Sequence, residues 1–239
     1  MTPIAVAGKV LCLIVYKHGL APHGDRTMTL SKVTTEEERL LKDVDRIQDT
    51  LPFQEKGPYL QARGVLDAYA AVYDAYVALI DDTSDGTEAL KRALFLQWIA
   101  FVEPDAFTGI GALDRGTQHR VLEEVQRRIV EDHADTELVW MLRWYDSITA
   151  WYFDDIFDDG GNPTPQTAWY FEGCAELPGL RRFLHDKHGD IQLAAIFTTG
   201  SLDHRGQMGE YWLAMLQSQE RRRASPARRG PHRARDDSC

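Results

Sequence analysis

The chain has 239 residues, 44% of them hydrophobic, so it can bury the core of one large domain or two small ones. The net charge of −10 is uneven, because residues 221–239 hold seven arginines and two aspartates, leaving 20 basic and 35 acidic residues before them, a net charge of −15. Such an acidic body repels phosphates, which argues against nucleic acid as its partner and suits a basic protein partner.

The N-terminal segment, residues 1–33, contains an apolar stretch over residues 10–16 that suits either a short buried strand or a helical turn. This stretch is too short to span a bilayer and lacks a small-residue cleavage pattern, so it predicts neither a membrane anchor nor a secretory signal. The three cysteines are odd in number and widely spaced, which indicates a reducing compartment. We therefore expect a cytoplasmic protein.

Residues 34–219 carry the pattern of a single all-α domain of about six to nine helices, since apolar residues recur at helical spacing along them. Two helices are predicted in its first part, over residues 36–50 and 59–82. Thr34 or Thr35 is the expected N-cap of the first, and the prolines between the two helices act as breakers.

The most apolar helix of the chain is predicted over residues 87–102, where Asp85 and Glu88 have the spacing of a capping box. Its apolar residues lie almost all round the helix, which favours a central position. A more polar helix follows, begun by Asp114 or Thr117. Phe107, in the loop between them, is a candidate contact with a partner.

A long helix over residues 137–157, capped by Asp135 or Thr136, carries tryptophans at helical spacing. We expect its face with Trp144, Ile148 and Trp151 to pack against the helix over residues 87–102. Shorter helices are predicted over residues 168–175, 179–187, 191–197 and 208–218. Residues 220–239 have no apolar period, so we expect a disordered basic tail.

Two clusters with the pattern DDxxD each follow an aromatic-rich helical stretch. Their aspartates are Asp81, Asp82, Asp85, Asp154, Asp155 and Asp158. On a helix, the first and last aspartates of each cluster would project from one face. Mg²⁺ is usually held by carboxylates together with substrate phosphates. Two such clusters facing each other across a helical cavity would therefore bind Mg²⁺ and a diphosphate leaving group.

This pair of clusters resembles the two DDxxD motifs of the trans-isoprenyl diphosphate synthases, which condense allylic diphosphates inside a helical bundle. The second cluster continues into glycine and proline as that family's second motif does, and Lys91 and Arg92 sit near the place of its arginine pair. The resemblance implies that the six aspartates hold Mg²⁺ and that Lys91 or Arg92 contacts the diphosphate. The clusters stand 73 residues apart, closer than in the family, and its downstream lysine-containing stretch has no counterpart.

The aspartates also have a structural explanation, in which Asp85 caps a helix and Asp82 and Asp158 belong to turns. The sequence contains no zinc-protease, phosphate-loop or serine-hydrolase motif. The leading hypothesis is therefore a protein-binding or regulatory module without catalysis or cofactor. The alternative is an Mg²⁺-dependent enzyme acting on a prenyl diphosphate.

Overall fold

The structure is a computed structural model that describes residues 28–82, 84–148, 177–185 and 201–224. Within these ranges every regular element is a helix, so the all-α prediction is confirmed. The helices are α1 (Leu30–Gln48), α2 (Phe53–Ala62), α3 (Val65–Leu79), α4 (Gly86–Val102), α5 (Asp105–Thr108), α6 (Arg115–Val130), α7 (Thr136–Ile148), α8 (Pro178–His185) and α9 (Gly206–Ala224). Over the same ranges, no helix is both long and apolar enough to cross a membrane.

Helix α1 begins six residues earlier than the sequence predicted, and neither Thr34 nor Thr35 caps it. Their hydroxyls donate to backbone carbonyls four residues earlier, both at 2.9 Å, while Thr29 occupies the N-cap position. The first turn is helical because Val33 is buried in the core. The boundary predicted at residue 33 therefore falls inside α1, and the apolar stretch over residues 10–16 lies outside the described residues.

The helix predicted over residues 59–82 is two helices, α2 and α3, which meet at Gly64. Gly64 has φ of 69°, a left-handed conformation that glycine adopts without strain. Pro58 lies inside α2 and does not break the helix, contrary to the prediction. The helix break therefore lies at Gly64, which adopts the left-handed conformation, and not at Pro58, which lacks a backbone N–H.

Helix α4 is central, as its apolar surface predicted. It packs against α3, α6 and α9. Helix α1 also packs against α3 and α9. Phe95, Leu96 and Trp98 of α4 are almost completely buried. The predicted capping box at its start does not form. Asp85 makes no side-chain cap hydrogen bond, and the Glu88 carboxylate pairs with arginines instead.

Helices α6 and α7 begin as predicted, because an aspartate side chain accepts a backbone N–H at each start. Asp114 accepts from Thr117 and Asp135 accepts from Leu138, both at 2.8 Å. Helix α9 continues to Ala224, five residues into the predicted tail. Residues 225–239 and the helices predicted over residues 168–175 and 191–197 lie outside the described residues.

The buried face of α7 differs from the predicted one. Trp140 and Tyr145 are buried, and the Tyr145 ring stacks on Trp98 of α4 with centroids 4.3 Å apart. Ile148, placed by the prediction on the buried face, is 46% exposed, and Trp144 is only half-buried. Stacking on Trp98 therefore sets the rotation of α7, and Trp151 lies outside the described residues.

Candidate functional site

The first aspartate cluster lies in the turn between α3 and α4 rather than on a helix, so the predicted helical spacing of Asp81 and Asp85 is wrong. Asp82 accepts the side-chain hydroxyl of Ser84 at 2.7 Å, the Ser84 backbone N–H at 2.8 Å and the Asp85 backbone N–H at 3.3 Å. These hydrogen bonds, chiefly from the Ser84 side chain, lower the pKa of Asp82. The cluster therefore shapes the interhelical turn.

Asp81 lines a shallow cavity of about 210 Å³ with side chains of α6, among them Arg120 and Arg127. No group of three metal-ligating side chains converges anywhere in the described part of the chain. Asp154, Asp155 and Asp158 lie outside that part, so an Mg²⁺ site shared by the two clusters stays a prediction.

Lys91 and Arg92, the implied diphosphate contacts, are buried inside the protein. The Lys91 ammonium lies 2.7 Å from Asp135 and 2.8 Å from Glu137. Arg92 bonds Glu88 at 2.9 Å and donates to the backbone carbonyl of His204 at 3.0 Å. Both cations are therefore held by protein groups, and a diphosphate contact by either one stays a prediction.

Arg205, just before α9, connects distant carboxylates in the same interior region. Its guanidinium binds both oxygens of Glu88, at 2.8 and 2.5 Å, and lies 2.6 Å from Glu137. Burial alone would raise the pKa of Glu88, but hydrogen bonds and charge from Arg205 and Arg92 outweigh it and lower that pKa. Glu88 is therefore ionised and joins α4 to the turn before α9.

Glu37 of α1 is the most deeply buried carboxylate of this region, at 1% exposure. Its oxygens accept the Tyr76 hydroxyl at 2.5 Å and the Gln207 backbone N–H at 2.7 Å. Burial raises the pKa of Glu37. The two hydrogen bonds and the positive charge of Arg92 act in the opposite direction, but burial outweighs them. Gly206 has φ of 58°, and a Cβ there would collide with the Glu37 carboxylate. Glycine at this position lets α9 approach α1.

We refer to these charged residues as the ionic cluster, in which all members except the exposed Asp135 are buried or half-buried. They are Glu37, Glu88, Lys91, Arg92, Asp135, Glu137 and Arg205. The cluster has three cations and four carboxylates, so its net charge is zero when one carboxylate is protonated. Six members pair with one another across α4, the start of α7 and the residue before α9, while Glu37 of α1 accepts from Tyr76 and from the Gln207 backbone. The arrangement therefore connects α1, α4, α7 and the start of α9.

Sequence reasoning missed the ionic cluster, although α4 contained a signal. Lys91, Arg92 and Gln97 interrupt a helix that is otherwise apolar on every side. Polar side chains on a central helix must be buried with partners, since an unpaired buried charge is strongly unfavourable. The pattern thus indicates buried pairs, but apart from Glu88 on the same helix the partners of Arg92 and Lys91 come from elsewhere in the chain.

Within the described residues, Trp98, Trp140, Trp144 and Trp212 form one packed aromatic cluster, which agrees with the prediction of core packing. Trp212 of α9 lies at its centre, with ring centroids 4.9 Å from Trp140 and 4.7 Å from Tyr211. Trp144 stacks on Trp140 at 5.3 Å, and its indole N–H donates to the Tyr211 hydroxyl at 3.1 Å. These contacts attach α9 to α7 and support a structural role for the tryptophans.

Two phenylalanines are exposed next to each other at the contact of α2 and α5. Phe53 is 48% exposed and Phe107 46%, and their ring centroids lie 5.3 Å apart. Exposed Glu55 and Asp105 lie two residues from them in sequence. We call these four residues the acidic aromatic patch. The predicted exposure of Phe107 is confirmed, while its pairing with Phe53 depends on the fold.

No protein-family model matches the chain, and no curated protein or solved structure is similar to it. The resemblance to the trans-isoprenyl diphosphate synthases therefore rests on the two DDxxD motifs alone. Function has to be inferred from the geometry of the described residues.

Proposed function

We propose that this protein is a non-catalytic module that binds a basic segment of a partner protein on the acidic aromatic patch. The observation that carries the proposal is the exposed pair of Phe53 and Phe107, whose rings lie in contact at an angle of 31°. Two half-exposed aromatic rings in contact form a surface that a partner can cover, and aromatic residues are enriched at the centres of protein interfaces.

Two exposed carboxylates close in sequence to the ring pair favour a basic partner. Glu55 and Asp105 are exposed, while the nearby Lys56 is buried and donates to Gln48. A lysine or arginine from a partner would pair with these carboxylates, and its cation would lie over a phenylalanine ring. The Lys56 ammonium already lies 5.2 Å from the Phe107 centroid. The net charge of −15 on the first 220 residues would speed the approach of such a partner.

The ionic cluster is explained by a structural role. Most of its side chains are buried or half-buried, and their ion pairs connect helices. The Mg²⁺-dependent alternative has no comparable observation among the described residues.

Affinity purification tests this proposal with a matched pair of variants. The double variant Phe53→Ser/Phe107→Ser removes the ring pair. Val130→Ser removes an apolar side chain that is 68% exposed on α6. We expect the wild type and Val130→Ser to retain the same basic protein at low salt, and the double variant to lose it.

Raising the salt concentration should release that protein, because exposed charge pairs are screened. Retention of no protein would contradict the proposal. So would retention that persists in high salt or in the double variant.

A further inference from the structure

A second surface feature lies at the C-terminal end of α2. A groove of about 420 Å³ runs between α1, the end of α2 and the start of α3. Its polar rim consists of Arg39, Asp43, Arg46, Tyr59 and Arg63, and apolar side chains including Leu40 and Leu60 form its floor. We call this feature the arginine groove. Its volume is within the range of ligand-binding clefts.

Asp43 holds two of the arginines side by side. It lies 3.0 Å from Arg39 and 2.7 Å from Arg46, and Arg39 also bonds Glu36 at 2.6 Å. Arg63 lies 5.9 Å from the centroid of the Tyr59 ring and forms no ion pair with the described residues. The three arginines therefore outnumber the two carboxylates, Glu36 and Asp43. The groove is locally positive, although the protein as a whole is strongly acidic.

We infer that the arginine groove binds an acidic segment of a partner protein, with carboxylates at Arg46 and Arg63 and an apolar side chain on the floor. Arginine binds carboxylates through paired N–H groups, and arginine and tyrosine dominate the energetics of many interfaces. Because the groove is cationic and shares no residue with the acidic aromatic patch, this inference goes beyond the proposed function.

The dimensions of the groove favour a peptide over a single small anion. The cavity of about 420 Å³ is far larger than a single small anion, which would also leave the apolar floor formed by Leu40 and Leu60 uncovered.

The test uses a short fluorescein-labelled peptide in which glutamates flank a central leucine. The comparison peptide replaces every glutamate by glutamine. Fluorescence anisotropy at low salt measures both dissociation constants with the full-length protein. We expect the glutamate peptide to bind at least about tenfold more tightly than the glutamine peptide.

Arg63→Glu and Arg46→Glu each reverse one charge of the groove. Arg127→Glu is the matched control, because Arg127 is exposed on α6 and pairs with Glu124 and Glu131 as Arg39 pairs with Glu36 and Asp43. We expect each groove variant to weaken binding at least about tenfold and the control to leave it nearly unchanged. Circular dichroism melting verifies that each variant is folded.

Three results would overturn the inference. The first is equal binding of the two peptides. The second is an equal loss of affinity in Arg127→Glu, which would show a general charge effect. The third is displacement of the peptide by low concentrations of inorganic phosphate, which would show a site for small anions. Phe53→Ser/Phe107→Ser should bind the glutamate peptide normally, so this inference and the proposed function can fail separately.

Discussion

The buried carboxylate of Glu37 accepts the hydroxyl of Tyr76 at 2.5 Å, joining α1 to α3 at the place where α9 begins. Its other oxygen accepts the backbone N–H of Gln207, 170 residues away in sequence. Glu37 therefore satisfies a backbone donor in the first turn of α9, as an N-cap would do, but from another helix.

This arrangement makes stability depend on pH through Glu37. Burial raises its pKa above the ordinary value of 4.5, so the folded state binds the proton more tightly than the unfolded state. The resulting stabilisation is fully present below about pH 4.5 and is lost as pH rises through the raised pKa. The loss is about 1.4 kcal/mol for each pH unit between the two pKa values.

Glu37→Gln removes this dependence while keeping an acceptor for Gln207 and a hydrogen-bonding group at Tyr76. We expect the free energy of unfolding of the variant, relative to wild type, to rise from pH 5 to pH 8 in urea titrations. Glu36→Gln is the control, because Glu36 is exposed and hydrogen bonding to Arg39 lowers its pKa. A difference between Glu37→Gln and wild type that stays constant with pH would contradict this account.

Arg205 should contribute far more to stability than an exposed arginine with the same number of carboxylate partners. Arg205→Ala removes a buried cation and leaves the half-buried Glu88 and Glu137 with fewer partners, so we expect it to lower the free energy of unfolding by about 3 kcal/mol. Arg39→Ala removes exposed pairs to Glu36 and Asp43 and should lower it by less than about 1 kcal/mol.

Urea unfolding of both variants at neutral pH measures the difference. The double variant Glu88→Gln/Arg205→Met, which removes opposite charges together, should be more stable than Arg205→Ala. Equal losses in Arg205→Ala and Arg39→Ala would show that the ionic cluster does not hold α9.

Features that depend on residues close together in the sequence could be predicted. The central position of α4 follows from its apolar surface, and the caps at Asp114 and Asp135 follow from hydrogen bonds to N–H groups three residues away. The split at Gly64 was missed because the helical period runs through it, although glycine supplies the required conformation.

Features that depend on distant residues could not be predicted. Glu88 fits a capping box in sequence, but Arg205, 117 residues away, competes successfully for its carboxylate. The exposed pair of Phe53 and Phe107 arises only when α2 packs against α5. The orientation of α7 likewise depends on a ring contact with α4. The spacing of apolar residues within α7 does not reveal that contact.

Magnesium and diphosphate should leave the thermal stability of this protein unchanged. Asp82 is engaged by three hydrogen bonds in its turn, and Lys91 is paired with carboxylates. A ligand that binds only the folded state raises the melting temperature, and the rise grows with the logarithm of its concentration above the dissociation constant. Thermal melts with MgCl₂ and inorganic diphosphate, compared with NaCl at equal ionic strength, provide the measurement.

The opposite result would support the enzymatic alternative if it depended on both aspartate clusters. A rise in melting temperature with Mg²⁺ and diphosphate that disappears in Asp81→Asn and in Asp154→Asn would establish a shared site. A rise that both variants retain would indicate binding elsewhere.

Trp212 should be the most sensitive single position of the aromatic cluster. It is completely buried among Trp140, Tyr145 and Phe95, and its removal would leave a cavity that these rings cannot fill. We expect Trp212→Ala to lower the free energy of unfolding by about 3–5 kcal/mol. Ile148→Ala, at the exposed end of α7, should change it by less than about 0.5 kcal/mol.

Urea titrations followed by far-ultraviolet circular dichroism measure both changes, with Trp212→Phe as a milder variant that preserves an aromatic ring. The three variants should rank Ile148→Ala, Trp212→Phe and Trp212→Ala in order of increasing loss. If Trp212→Ala were as stable as Ile148→Ala, the rings around Trp212 would not be a core contact, and the attachment of α9 to α7 would have to depend on the ionic cluster.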